Sequence, residues 1–169
     1  DILSNQDWTF PTTTYYGPGR FNEIAKFCEE FDIKNPLIVT DSGSKDLPFI
    51  KKLIALLSKN NIKSDLFYNI SPNPRDDEIS KGCDQFKNGS HDSIIAIGGG
   101  SAMDGGKSIC LTVNSETPLW DFEFEQPVPK ITKENAFPKI ITIPTTAGTG
   151  AETEITAMVT HLEKGMKFC

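Results

Sequence analysis

Four consecutive small residues, Gly98-Gly99-Gly100-Ser101, lie between an apolar stretch and a segment with helical spacing. Glycines allow positive φ angles and let a ligand approach the backbone closely. The first amides of a helix have no partner inside the helix and attract anions. The pattern therefore predicts a turn that binds phosphate. It matches neither common phosphate fingerprint, because Ser101 stands where the P-loop needs a glycine and Met103 where G-x-G-x-x-G needs one.

Two further segments carry groups that suit a nucleotide. In residues 145–150, Thr145, Thr146 and Thr149 offer hydroxyl groups that can bond phosphate or ribose oxygens. Asp41 follows an early apolar stretch, and a carboxylate there can accept bonds from ribose hydroxyls and repel a 2′-phosphate, which favours NAD over NADP. Asp41 can alternatively cap the helix after it.

The remaining titratable residues suggest a binding site without catalytic machinery. Asp104, in the first turn after the glycines, suits bonds to loop amides or a sugar. Lys107 either neutralises Asp104 from one turn away or is an exposed helix lysine. His91 and His161 show no metal-ligand spacing, and we expect both at the surface. We identify no catalytic residue and no metal ligand in this sequence.

Alternating strands and helices must position these loops. Apolar stretches predict strands at residues 12–16, 37–40, 64–70, 93–97, 139–143 and 155–159. One helix is predicted to begin with Asn73 as N-cap and Pro74 at its first position. Another spans residues 102–111, with a loose start because Gly105 and Gly106 each cost about 1 kcal/mol relative to alanine. The alternation predicts an α/β, Rossmann-like, mostly parallel sheet with helices on both faces, whose ligands bind beyond the carboxyl ends of the strands.

Composition bounds the class of protein. A chain of 169 residues, 37% hydrophobic and 24% charged, fits one folded domain over residues 1–169 rather than a disordered chain. A net charge of -6 disfavours nucleic acid and anionic membranes as partners. The first residues lack the pattern of a signal peptide, and the four cysteines lack C-x-x-C spacing. We therefore expect free thiols and a cytoplasmic protein.

The motifs together resemble one family, the iron-containing (group III) alcohol dehydrogenases. Residues 98–107 are similar to its G-G-G-S-x-x-D-x-x-K motif, and residues 144–152 to its P-T-T-A-G-T-G-S-E motif. Residues 72–74 and 16–19 are also similar, in the family's order. The resemblance covers nearly the whole chain but only the amino-terminal half of a family member. It implies an NAD(P)-binding α/β domain of an oxidoreductase that interconverts an alcohol and an aldehyde or ketone by hydride transfer.

The resemblance also implies roles for single residues. Gly99, Gly100 and Ser101 would hold the pyrophosphate, and Asp41 would bind the adenosine ribose and select NAD. The other positions carried over to the cofactor pocket are Asn73, Asp104, Thr145, Thr146, Thr149 and Lys167. The chain departs from the family at Ala151, where serine is usual, and at Glu154, where threonine is common.

The family's metal ligands, an Asp and three His, belong to an all-helical second domain that nothing in this sequence matches. The resemblance therefore implies that this domain is absent from the chain, that Fe2+ or another divalent metal binds only with it, and that the chain alone has little or no turnover. The implied substrate is a small alcohol or aldehyde, and a homo-oligomer is left open. The alternatives are a related enzyme of the glycerol dehydrogenase, maleylacetate reductase or dehydroquinate-synthase type, and a non-catalytic nucleotide-binding module.

Overall fold

The computed structural model describes residues 5–8, 12–130 and 136–169. Its strands are β1 (Gln6–Trp8), β2 (Thr14–Tyr16), β3 (Pro36–Asp41), β4 (Asp65–Ile70), β5 (Ser93–Gly98), β6 (Lys139–Pro144), β7 (Val159–His161) and β8 (Met166–Phe168). Its α-helices are α1 (Ile24–Glu30), α2 (Pro48–Lys59), α3 (Asp76–Asn88) and α4 (Gly100–Thr112), with short 3-10 helices at Arg20–Glu23 and Leu119–Phe122.

The centre of the fold is a parallel sheet in the order β4-β3-β5-β6. Alternate residues of the buried strands serve two apolar clusters, because successive strand side chains point to opposite faces. Leu37 and Ile94 pack with α3 and α4 on one face, whereas Ile38 and Ile95 pack with α1 and α2 on the other. These helices on both faces confirm the predicted Rossmann-like α/β fold.

The helix α2 shows how the sequence specifies these elements. Pro48 occupies its start, where a proline has no hydrogen bond to lose. Ile50, Leu53 and Leu57 are fully buried, and their spacing of three and four residues places them on one helical face. Ile54, which we predict on the same face, is 38% exposed and lies at its edge.

The predicted strand over residues 155–159 is wrong. Ile155 is 96% exposed, and only Val159 belongs to a strand. The strand β7 pairs antiparallel with β8 instead of joining the central sheet. The predicted strand over residues 12–16 is shorter than expected, since β2 begins at Thr14 and pairs with β1.

The predicted N-cap of α3 is also wrong. The helix begins at Asp76 with Arg75 as N-cap, and the carboxylate of Glu78 accepts a hydrogen bond of 3.1 Å from the Arg75 backbone amide. Pro74 stays outside the helix because its carbonyl accepts a 2.7 Å hydrogen bond from the amide of Thr160. Because of this hydrogen bond to β7, the helix begins after Asn73.

The helix α4 begins two residues earlier than predicted, at Gly100. It is continuous from Gly100 to Thr112, and both inner glycines are buried. A Cβ atom on Gly105 would lie 2.8 Å from Ile70 Cδ1, and one on Gly106 would lie 2.5 Å from Ala96 Cβ. The glycines therefore let the helix lie close against the sheet.

The expectation of surface histidines is wrong for His91, which is only 7% exposed. Its Nδ1 atom lies 3.0 Å from the Asn35 carbonyl oxygen. The side chain of His161 is also mostly buried, with 13% exposed, because it stacks on Trp120 with 4.6 Å between the ring centroids.

All four cysteines are free thiols, as predicted. Burial raises the pKa of Cys28 to about 11 and that of Cys110 to about 12, so both remain protonated near neutral pH. Within the described ranges, every helix is too short or too polar to cross a lipid bilayer.

Candidate functional site

The glycine turn, residues 98–101, spans the end of β5 and the start of α4 at the carboxyl end of the sheet. Gly98 is buried with a φ of 144°, and a Cβ atom there would lie 2.8 Å from Ala102 Cβ and 3.0 Å from Asp41 Oδ2. The turn therefore requires glycine at this position. A Cβ atom on Gly100 would meet no described atom within 4 Å outside its neighbours and its own helix backbone. A side chain at Gly100 would therefore project into open space, and the first amides of α4 have no partner inside the helix.

The threonine loop, residues 145–150, forms the opposite wall. The amide of Thr145 donates a 2.9 Å hydrogen bond to the carbonyl of Gly98, which joins the loop to the glycine turn. The crevice between them has a volume of about 180 Å³. Residues of the glycine turn, the threonine loop and the adjoining chain line this crevice: Gly99, Gly100, Met103, Pro144, Thr146, Gly148, Thr149, Gly150, Ala151 and Glu152. Pockets for whole cofactors typically measure roughly 300 to 1,000 Å³, so this crevice suits one part of a dinucleotide.

Asp41 lies beside the glycine turn at the end of β3. Its Oδ2 atom accepts a 2.8 Å hydrogen bond from Ser44 Oγ. The following helix begins at Pro48 with Leu47 as its N-cap. The alternative role of Asp41 as the cap of that helix is therefore wrong, and its carboxylate closes a short turn at the rim of the sheet.

Ser101, the last residue of the glycine turn, contacts the segment that contains Asn73. The hydroxyl of Ser101 donates a 2.6 Å hydrogen bond to the carbonyl of Pro72. Asn73 follows Pro72, is exposed, and accepts a 2.8 Å hydrogen bond from Ser71 Oγ at its carbonyl. The Ser101 hydroxyl group thus donates its hydrogen bond within the protein. Its oxygen lone pairs and the Ser101 backbone amide can still bind a ligand.

Asp104 and Lys107 form an ion pair one turn into α4, with 3.7 Å between Nζ and Oδ1. Burial raises the pKa of the Asp104 carboxyl. A hydrogen bond from the Met158 backbone amide, the charge and hydrogen bond of Lys107, and the charge of Lys167 oppose that rise. The charge of Lys167 on β8 therefore acts on Asp104, although the two residues lie on different elements.

The two alternatives for Lys107 are settled by its surroundings. Its side chain is only 15% exposed, so it pairs with Asp104 instead of lying free on the surface. Its ammonium group also donates to the carbonyls of Ala151, Glu154 and Thr156. Sequence reasoning misses these three contacts, and the only local signal for them is a lysine three residues after an acid on a largely apolar helix.

A second cavity, of about 420 Å³, lies against the outer face of α4. Trp120, Phe122 and Phe124 line it together with Phe137 and Cys169. Sequence reasoning misses this cavity as well. The signal for it is the cluster of aromatic residues in a stretch that otherwise looks irregular.

The donor set does not fit a metal ion. Among residues 5–8, 12–130 and 136–169, no three His, Cys, Asp or Glu side chains are grouped so that they could hold one. The described residues therefore offer no such group for iron.

Comparison with known proteins agrees with this geometry. The 1,3-propanediol dehydrogenase of Klebsiella pneumoniae is 29% identical over 164 residues, which are 96% of this chain and 41% of that protein. A crystal structure of a 1,3-propanediol oxidoreductase superposes with a TM-score of 0.84 at 26% identity, covering 99% of this chain and 42% of that one. The sulfoacetaldehyde reductase of Bifidobacterium kashiwanohense, solved in complex with NAD+, gives a TM-score of 0.78 at 27% identity over 90% of this chain and 39% of that one.

The chain thus spans about two fifths of the length of the relatives that it matches. The family model described as iron-containing alcohol dehydrogenase matches residues 11–169. Because the match extends over nearly all of the chain, this protein belongs to the iron-containing alcohol dehydrogenase family.

Proposed function

We propose that this chain binds NAD for a metal-dependent oxidoreductase that interconverts a small alcohol and an aldehyde or ketone. The observation that carries the proposal is the crevice between the glycine turn and the threonine loop. It lies at the carboxyl ends of β5 and β6, where open α/β sheets bind their ligands. Membership of the family supports the same function.

The diphosphate of the cofactor would lie against the start of α4. The amides of Gly100 and Ser101 and the positive end of the helix dipole would bind its oxygens. Thr146 and Thr149 line the facing wall, and their hydroxyl groups would bond phosphate or ribose oxygens. When bound, the cofactor supplies a nicotinamide ring that accepts or donates a hydride.

Residues around the crevice would orient the two ends of the cofactor. Asp41 would accept hydrogen bonds from the adenosine ribose. Thr145 is bonded to Gly98, Asn73 follows the Pro72 carbonyl that Ser101 binds, and Asp104 lies one turn into α4. The charge of Lys167 acts on Asp104. With the family membership, these observations support the assignment of all four residues to the cofactor pocket. The relative solved in complex with NAD+ supports this choice of cofactor.

The metal and the cell compartment are inferred from the family and from the cysteines. The family description names iron, and since the described residues do not fit a metal, we assign Fe2+ or another divalent ion to residues outside the described ranges. Free cysteines are typical of a reducing compartment, which supports a cytoplasmic location.

The test is a titration of the chain with NADH and with NADPH, repeated for Asp41→Gly. We expect the parent to bind NADH about 10-fold more tightly than NADPH, since a hydrogen bond to a charged group is worth about 1.5 to 3 kcal/mol. Asp41→Gly should weaken NADH binding and remove the preference. The matched control is Asp46→Gly, at an exposed position in the same loop, which should leave both affinities unchanged. Tighter binding of NADPH by the parent would show that the role of Asp41 is wrong.

A further inference from the structure

Lys107 has an unusual set of partners for a helix lysine. Its Nζ atom donates to the carbonyls of Ala151 at 2.8 Å and Glu154 at 3.2 Å, and also to that of Thr156. An ammonium group has three N–H donors, which equals the number of these carbonyls, and the carboxylate of Asp104 lies 3.7 Å from the same nitrogen. One side chain therefore binds the main chain of residues 151–156 at three points.

The counter-ion of Lys107 binds the same stretch of chain. Asp104 accepts a hydrogen bond from the backbone amide of Met158. Residues 154–158, all of them described, belong to no helix or strand, so their main-chain groups have no sheet or helix partners of their own. Adjacent turns of α4 thus supply an acceptor and three donors to this segment. We call Lys107 and Asp104 together the clamp.

The held segment continues directly from the wall of the crevice. Ala151 and Glu152 line the crevice and follow the threonine loop without a break. The first end of that loop is held by the hydrogen bond from Thr145 to Gly98. The other end is held by Lys107 at the Ala151 carbonyl and by Thr142 Oγ1, which donates a 2.8 Å hydrogen bond to the Glu152 carbonyl. Between the two ends, Thr146 and Thr149 are exposed.

We propose that Lys107 is a positioning residue, which with Asp104 fixes the far end of the threonine loop and thereby the width of the nucleotide crevice. This inference rests on the proposed function. Lysine suits the task because its three donors can point to three separate carbonyls, whereas the planar guanidinium of arginine presents its donors in a fixed fork. Removing the ammonium group leaves the part-buried carbonyls of Ala151 and Thr156 without this donor and the Asp104 carboxylate without its partner on α4.

The experiment compares the parent chain with Lys107→Met, Lys107→Arg and Lys51→Met. Lys51 is an exposed lysine on α2 and serves as the matched control. Backbone hydrogen exchange is measured by mass spectrometry without nucleotide, and NADH affinity by titration. We expect Lys107→Met to exchange at least about 10-fold faster in residues 145–158 only, and to bind NADH about 10-fold more weakly, a loss of about 1.4 kcal/mol. Lys107→Arg should fall between it and the parent, and Lys51→Met should match the parent.

A pH series separates positioning from a general loss of stability. Asp104 is faced by Lys107 on its own helix, by Lys167 on β8 and by the Met158 amide. Without Lys107 the pKa of Asp104 should rise further, so NADH affinity of Lys107→Met should vary with pH over a range where the parent is constant. The double variant Asp104→Asn/Lys107→Met carries no lone carboxylate. It should lose this pH dependence while keeping the fast exchange, and it replaces Lys107→Met if that variant does not fold.

The outcomes distinguish this inference from the proposed function. If the parent does not bind NADH, the proposed function fails, while the exchange data still test whether the clamp holds residues 145–158. If the parent binds NADH and Lys107→Met exchanges at the parent rate, the clamp is overturned. If exchange is faster but the NADH affinity stays within twofold of the parent's, the link from the clamp to the crevice is overturned.

Discussion

Asp77 receives two cationic partners at the start of α3. Arg75 Nε and Lys81 Nζ each lie 2.9 Å from one of its carboxylate oxygens. The hydrogen bond from Arg75, followed by that from Lys81, lowers the pKa of Asp77 to about 2. A carboxyl whose pKa is lower in the folded than in the unfolded chain stabilises the fold above its unfolded pKa, and the stabilisation is lost as the pH falls toward the folded value.

We therefore predict a pH-dependent cost for Asp77→Asn. Near pH 7 the substitution should lower the free energy of unfolding by about 0.5 to 1 kcal/mol, a small value because the partners are solvent-screened. The difference from the parent should shrink as the pH falls from about 4 toward 2. Urea unfolding at a series of pH values measures it, with Asp84→Asn on the same helix as the control. A difference that grows on acidification would contradict the assignment.

Single residues also mark where sequence reasoning succeeds. The glycine turn could be predicted because three glycines between a buried strand and a helix have a local cause, and Gly98 does adopt a positive φ. The contacts of Lys107 could not be predicted, because they depend on carbonyls more than 40 residues away in the chain. The burial of His91 could not be predicted for the same reason, since its partner Asn35 lies 56 residues before it.

At the scale of elements, α4 couples the site to the core. Its first turn faces the crevice, and its middle packs on the sheet through Gly105 and Gly106. A glycine in a helix normally costs stability relative to alanine. Here the missing Cβ atoms allow a short distance between α4 and the sheet that no larger residue permits. This close packing fixes the position of the glycine turn relative to the sheet.

This packing predicts opposite effects for two similar substitutions in α4. Gly106→Ala should lower the free energy of unfolding by about 1 to 3 kcal/mol, because the new Cβ atom would lie 2.5 Å from Ala96 Cβ. Gly100→Ala, where the Cβ atom meets no described atom within 4 Å outside its neighbours and helix backbone, should leave stability equal or slightly higher. Urea unfolding of both variants measures the contrast. A more stable Gly106→Ala protein would mean that the helix does not lie this close to the sheet.

Element boundaries follow from sequence where the local pattern is undisturbed. Apolar runs predict the strands β3 and β5 to within a few residues, and apolar spacing predicts the buried face of α2. The start of α3 differs because Pro74 is bound by Thr160, and residues 154–158 are not a strand because Lys107 and Asp104 bind their main chain. In both cases a distant partner overrides a good local signal.

At the scale of the whole molecule, a parallel sheet brings together two loops that are distant in sequence. The glycine turn and the threonine loop meet because β5 and β6 are neighbours with Gly98 opposite Pro144. The chain carries a net charge of -6, so its overall field does not attract an anion. In the proposed site, the attraction for a diphosphate would therefore come from the amides and the dipole of α4, over a short range.

The most direct test of this account is a titration of the parent and of Gly100→Val with NADH. A valine side chain at Gly100 would enter the open space at the start of α4, whereas Ser80→Val adds the same side chain to an exposed position on α3. We predict saturable binding of one NADH by the parent and by Ser80→Val. Binding by Gly100→Val should be weaker by about 100-fold, or about 2.7 kcal/mol, at an unchanged urea midpoint. An unchanged NADH affinity in folded Gly100→Val, or no saturable binding by the parent, would contradict the placement of the diphosphate in this crevice.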